Sequence, residues 1–98
     1  MTESAPAPVV RRDDTRHRFE IEVDRQVAGF ISYRQHGGVL ELVHTEVQPE
    51  FEGRGLAGQL ARFALDQARA AGQRVNPSCA YVAAYIARHP QDRDLVDD

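Results

Sequence analysis

The chain contains no lysine: all 12 of its basic residues are arginine, set against 15 acidic residues for a formal charge of −3. The arginine bias is one of composition and carries no chemistry by itself. No apolar run approaches the roughly 18 residues that a membrane helix needs. The opening Met1-Thr-Glu-Ser-Ala-Pro-Ala-Pro has neither the basic nor the apolar region of a secretory leader, so a soluble, cytoplasmic protein is expected. There is one cysteine, Cys79, which excludes an internal disulfide, and no CxxC or Cys/His cluster with zinc spacing, so no metal is expected. A basic field is missing too. Residues 18–88 carry eight charges of each sign, and residues 89–98 hold one arginine against four aspartates. A neutral body with an acidic end lacks the attraction that drives phosphate-backbone binding, which disfavours a nucleic-acid partner. At 98 residues one core is possible and a second domain is not.

Residues 1–17 are rich in Pro, Ala, Ser, Thr and charge, with Val9 and Val10 as the only apolar anchors, and are expected to form a disordered arm ahead of a domain over 18–96. From Arg18, Phe19, Ile21 and Val23 alternate with Glu20, Glu22 and Asp24, the period of a strand with one buried face. Asp24-Arg25-Gln26 offers a turn, Val27–Arg34 a second strand, Gln35-His36-Gly37-Gly38 another turn, and Val39–Val47 a third strand stopped by Gln48-Pro49. The period then changes to 3.6. Leu56, Leu60, Phe63 and Ala64 share one side of a helix, Ala57, Ala61, Leu65 and Ala68 widen that arc, and Gln59, Arg62, Asp66 and Arg69 cover the opposite face up to Gly72. Gln73–Ser78 is short enough for one more strand, placed at an edge or an end by Pro77. Ala80–Arg88 reads as a second helix capped by Ser78. The expected order is β-β-β-α-β-α, an α/β arrangement on a mixed sheet.

The densest signal is Glu52-Gly53-Arg54-Gly55-Leu56-Ala57-Gly58. Glycines ahead of a helix let a backbone approach a ligand closely, and the free N–H groups at the helix start make an anion site suited to a phosphate or pyrophosphate. Gly53-x-Gly55-x-x-Gly58 matches the dinucleotide fingerprint literally, but that fingerprint belongs to the first βα turn of a parallel sheet with an acidic residue about 20 positions on. Here three antiparallel strands precede the loop, and Asn76 and Ser78 stand after the helix. No GxxxxGK[ST] run is present.

The run Glu52-Gly-Arg-Gly55-Leu-Ala57, directly after a strand and opening a long helix, resembles the Q/R-x-x-G-x-G/A acyl-CoA pyrophosphate loop of the GNAT superfamily of N-acetyltransferases. Val43-His-Thr-Glu-Val47-Gln-Pro-Glu-Phe is similar to that superfamily's fourth strand, and Val75-Asn-Pro-Ser-Cys79 through His89-Pro90 resembles a small subgroup of minimal acetyltransferases. Glu52 stands where the superfamily carries Gln or Arg, leaving phosphate contacts to backbone N–H groups from Gly53 to Gly58. The resemblance implies a minimal GNAT-like fold whose fourth and fifth strands splay around the pantetheine arm of acetyl-CoA. It also implies acetyl transfer to an unidentified primary amine, small molecule or peptide, with Val47, Gly53, Arg54, Gly55, Leu56, Ala57 and Gly58 as the cofactor-binding set. The chain lacks the two helices that usually follow the first strand and the usual last strands, so a protein partner or a homodimer is expected to complete the acceptor side.

Amine attack on a thioester needs a neutral amine, an oxyanion stabiliser and a proton for the leaving thiolate. Cys79 lies at a strand-to-helix junction, where a helix start favours the thiolate; its alternative role is that of a small buried hydrophobe. His44, beside the expected splay, is a base candidate. The resemblance puts Glu41 at the position of a general-base glutamate, and strand alternation puts it on the opposite face from His44 unless a bulge intervenes. It likewise puts Tyr85 in the place of a tyrosine that protonates the thiolate, with Tyr81 one turn earlier competing. Direct transfer with His44 as base and Tyr85 as acid is the favoured route, and a Cys79 acetyl intermediate is its variant. The rival expectation is a noncatalytic acyl-CoA-binding or adaptor module that docks a protein.

Overall fold

The computed structural model describes residues 7–97. Strand β1 spans Val9–Asp13, β2 Arg18–Val23, β3 Gln26–His36 and β4 Val39–Val47; helix α1 follows at Leu56–Ala70, then β5 at Arg74–Pro77 and helix α2 at Ala80–Arg88. One sheet runs in the order β1-β2-β3-β4-β5, with the first four strands antiparallel and β5 parallel to β4. The hairpin from β2 to β3 turns on Asp24 and Arg25, both at positive φ (51° and 66°), the conformation of a two-residue loop that matches strand twist.

The architecture matches the expected elements except at the N-terminal end. Residues 1–6 of the expected disordered arm lie outside the described residues. Val9–Asp13, placed in the same arm, is instead an edge strand paired residue by residue with β2. Two valines are few for burial, but an edge strand needs only one inward row. Val10 packs on the core opposite Ile21. Arg12, opposite Phe19, lays its guanidinium 4.6 Å from the Tyr33 ring and 5.6 Å from that of Phe19. A cation spread over aromatic faces does there what an apolar side chain does elsewhere.

The core joins one sheet face to both helices. Phe19, Ile21, Ile31, Tyr33, Leu40, Leu42 and Val75 from the strands are buried against Leu56, Leu60, Ala61, Ala64, Leu65 and Ala68 of α1 and Val82, Tyr85 and Ile86 of α2. The opposite sheet face carries Arg18, Glu20, Phe30, Ser32, Arg34, Glu41, His44 and Glu46, of which only Glu20 is buried, 2.7 Å from the Arg18 guanidinium.

The acidic end is not a tail. Pro90–Leu95 forms a 3₁₀ segment in which Asp92 is almost wholly buried. Arg62 of α1 donates to both Asp92 carboxylate oxygens at 2.8 Å, and Arg69, two turns on, reaches Asp94 at 2.8 Å. The polar face of α1 thus binds the C-terminal segment, and the surplus negative charge is spent within the fold. Hydrogen bonds from Arg62 outweigh burial and hold the Asp92 carboxyl below the usual carboxylate range. Its folded form therefore takes up a proton at lower pH than the unfolded chain, so the stabilisation is complete above the ordinary aspartate pKa and is lost as pH falls through the lower folded value.

Asp92→Ala removes the buried member of the pair and leaves Arg62 partly exposed and still joined to Asp66, so it should cost about 2 kcal/mol through the lost charge-assisted hydrogen bonds, against less than about 1 kcal/mol for the exposed Asp94→Ala. Thermal melts should show a fall in Tm of roughly 8 °C or more for the first. The gap between Asp92→Ala and the parent should narrow as the buffer is taken from pH 6 to pH 2.

Candidate active site

Two strands part company at the centre of the site. β4 and β5 pair over Val39–Leu42 and Arg74–Pro77 and no further. Pro77 has no N–H to extend the ladder, the Ser78 N–H turns back to the Asn76 carbonyl at 3.0 Å, and the Cys79 N–H makes the last contact, 2.9 Å to the Leu42 carbonyl. Beyond that point Val43–Val47 has a strand partner on the β3 side only.

A bulge sits at the fork. Tyr33 pairs with Leu42 and Ser32 with His44, leaving Val43 as an extra residue in β4. Arg34 and Ser32 lie two apart on β3, so their partners Glu41 and His44 share one face. The bulge that could unite them exists, but the face they share is the one remote from the helices. Thr45, opposite the buried Ile31, takes the core side.

The helix-side mouth of the fork is a cleft of about 320 Å³ lined by Thr45, Val47, Phe51, Glu52, Gly53, Gly55, Leu56, Ala57, Gly58 and Tyr81. Six of the seven residues expected to hold the cofactor are in that lining. The seventh, Arg54, is beside it, its guanidinium 5.3 Å from the Phe51 ring. Gly53 and Gly55 have φ of 81° and 73°, a region closed to most side chains, and Gly55 is the N-cap of α1. Most helices cap this end with a side chain worth about 1 kcal/mol. Here there is neither a capping side chain nor an acidic residue in the first turn, and the first backbone bond is from the Gln59 N–H to the Gly55 carbonyl. Among the described residues, the N–H groups of Gly53–Gly58 donate to no partner. The backbone therefore has the form of an anion cradle at the positive end of a 15-residue helix.

Directly behind Thr45 lies Cys79. The Thr45 Oγ1 is 3.2 Å from the Cys79 Sγ, and the thiol is mostly buried. Cys79, not the expected Ser78, is the N-cap of α2. Burial pushes the thiol up, but the hydroxyl of Thr45 and the N–H groups of Val82, Tyr81 and Thr45 together bring it below its ordinary value. The helix start acts on this sulfur as the junction suggested.

The other expected catalytic residues are dispersed. His44 is exposed on the open sheet face, 3.5 Å from Glu46 and tilted against Phe30; strand alternation directs it away from the side on which Thr45 meets Cys79. Glu41 accepts a hydrogen bond from the Ser78 Oγ and lies 2.9 Å from the His36 Nε2. Tyr85 is buried, stacked on the His89 ring at 3.9 Å, and does not line the cleft. Tyr81 does, with its hydroxyl beside Gly58: a methyl group there would lie 3.6 Å from it, in ordinary contact. Burial raises the Tyr81 phenol above its ordinary pKa, so it holds its proton at neutral pH.

Thr45 is the site residue that the sequence did not single out. Its signal was the period of two that places it on the same face as Val47.

Residues 18–95 match the sequence model of the GCN5-related N-acetyl-transferase family, and the chain belongs to that family. It is 31% identical over 86 residues to Protein NATD1 of Mus musculus, a match covering 83% of this chain and 76% of that protein. Protein NATD1 of Homo sapiens matches at the same identity with 74% of its length covered. The NMR solution structure of a GCN5-like protein from Staphylococcus aureus superposes with a TM-score of 0.70 at 19% identity, over 91% of this chain and 87% of that one, which establishes the shared fold.

Cys79 can be read directly. The pH dependence of its alkylation by iodoacetamide should have a midpoint below that of the same cysteine in the unfolded chain, and Thr45→Val should move that midpoint upward. Superimposable profiles for the two proteins would mean that the hydroxyl does not act on the sulfur.

Proposed function

We propose that the protein is an acetyl-CoA-dependent N-acetyltransferase acting on a primary amine. The observation that carries this reading is the uncapped start of α1 opening into the fork between β4 and β5. The pyrophosphate of acetyl-CoA suits the free N–H groups of Gly53–Gly58, with Arg54 at hand as a counter-charge. The amide-bearing arm suits the unpaired side of Val43–Val47, because an edge strand offers backbone donors and acceptors to any extended chain laid beside it. When bound, the group supplies an activated acetyl thioester. A second groove shares Gly55 and Gly58 with the cleft and runs past Gln59 and Arg62 to Tyr85, leaving room for the remainder of a nucleotide.

Within this reading Tyr81 takes the role of acid that the resemblance gave to Tyr85. Its hydroxyl lines the cleft and keeps its proton, ready for a departing thiolate. Cys79, beside Thr45, is the candidate for a covalent route: its sulfur would bond to the acetyl carbon as the acetyl–sulfur bond of the donor breaks, and the amine would then displace it. A noncatalytic acyl-CoA-binding module remains the second reading, and one observation favours it. Neither base that the resemblance suggested is on the cleft side of the fork, since His44 is directed to the other face and both oxygens of Glu41 are engaged, which leaves Glu52 of the glycine loop as the carboxylate in the cleft lining.

Acetyl-CoA and CoA at 100 times their dissociation constants should each add about 2.7 kcal/mol of stability, several degrees in a thermal-shift assay, while NAD(P)H adds none. With an acceptor amine identified, Tyr81→Phe should lower kcat by about 100-fold, whereas Tyr85→Phe should change it little. Binding without transfer to any amine would select the second reading, and no shift at all would end both.

A further inference from the structure

We propose that Glu41 is a positioning residue that sets the fork through Ser78, and not the general base of the reaction. This rests on the acetyltransferase reading above for its consequences, but on geometry for its content. Ser78 is the single residue between the end of β5 and the N-cap of α2. Its hydroxyl donates to Glu41 Oε2 across the fork, while Glu41 Oε1 is held 2.9 Å from the His36 Nε2. On the other face of β4, past the bulge, Thr45 meets Cys79 at 3.2 Å. Consecutive residues 78 and 79 are thus gripped from opposite faces of one strand, and the bulge at Val43 is what lets Glu41 and Thr45 take opposite sides.

The grip fixes more than a loop. Cys79 begins α2, and Tyr81 enters the cleft from the first turn of that helix. A junction free to rotate would move both the sulfur and the phenol relative to the anion cradle, and small misplacements of this kind cost rate steeply. A general base needs a free lone pair and an affinity for protons raised toward neutrality. Glu41 has the reverse: each oxygen is already engaged, and hydrogen bonds from Ser78 and His36 hold its carboxyl below the usual range, with Arg34 opposite it on β3 adding to the effect.

Four variants test this. Gln at position 41 keeps an acceptor for Ser78 and a donor for His36 but cannot serve as a base. Glu41→Gln should therefore retain kcat within about threefold and keep the acid limb of the pH–rate profile, while Glu41→Ala and Ser78→Ala each lower kcat at least tenfold with KM for acetyl-CoA less affected. The double variant Glu41→Ala/Ser78→Ala should be no worse than the worse single one. A loss of 100-fold or more in Glu41→Gln together with disappearance of the acid limb, alongside an unaffected Ser78→Ala, would overturn the proposal. The same four proteins can be melted without any substrate. Coupled sites give a Tm for the double variant close to that of the single ones, whereas a Tm drop equal to the sum of the two would also overturn it. This second readout stands even if no acceptor is ever acetylated, so failure of the positioning role is distinguishable from failure of the acetyltransferase reading.

Discussion

Four residue pairs of parallel strand, and then a gap, determine what this molecule can do. If β4 and β5 stayed paired to their ends, Val43–Val47 would be closed on both sides and the start of α1 would face a continuous sheet. Pro77 stops the ladder by chemistry, lacking the donor that the next rung requires. The bulge at Val43 stops it by geometry, rotating the far half of β4. With both devices acting at the same level, the gap does not depend on either alone. The loop after β4 can then turn through Pro49–Phe51 and deliver the glycines to the mouth of the gap.

An anion cradle is useful only if the helix that forms it is held still. α1 buries Leu56, Leu60, Ala61, Ala64, Leu65 and Ala68 against the sheet, which fixes its height and tilt. Its outer face would otherwise be solvent. Arg62 and Arg69 bind it instead to the C-terminal segment, with Asp92 buried beneath them. The small residues Ala57, Ala61, Ala64 and Ala68 let α1 lie close to its neighbours, and Gly58 in its first turn lies beside the Tyr81 hydroxyl of α2. Helix start, phenol and sulfur are therefore parts of one packed unit.

Much of this was legible in the residues and some of it was not, for definite reasons. Strand alternation at Phe19, Ile21 and Val23 and the helical arc from Leu56 to Ala68 are periodic, and periodic signals survive folding because burial enforces them. The residues that line the cleft were legible because glycine at positive φ before a helix has few other uses. The candidate catalytic residues fared differently. His44 is next to Thr45 in sequence, and a single inserted residue at Val43 decides which of them meets Cys79; nothing in the order of side chains marks a bulge. Between Tyr81 and Tyr85, one helical turn apart, the choice was made by how α2 crosses α1 at Gly58, a tertiary contact. The strand at Val9–Asp13 was hidden because its inward arginine is polar by composition and apolar by contact.

The site's polarity follows from the same divided geometry. On the helix side the fork offers positive dipole ends twice over, from α1 toward an anion and from α2 toward the Cys79 sulfur, and a protonated phenol between them. On the open side charges of both signs are mixed, with Arg34 opposite Glu41, Glu41 tied to Ser78 and His36, Arg18 on β2 and Glu46 beside His44. On the acetyltransferase reading an anionic donor is thus favoured on the helix side, and an amine meets it where the strands part. The dipole ends would repel a protonated amine, so on this reading the gap between β4 and β5 is where the amine has to give up its charge before bond formation. On the acetyltransferase reading the amine gives up its proton at this gap, either to Glu52 in the cleft lining or, from the open face, to the exposed His44 and Glu46 or bulk water.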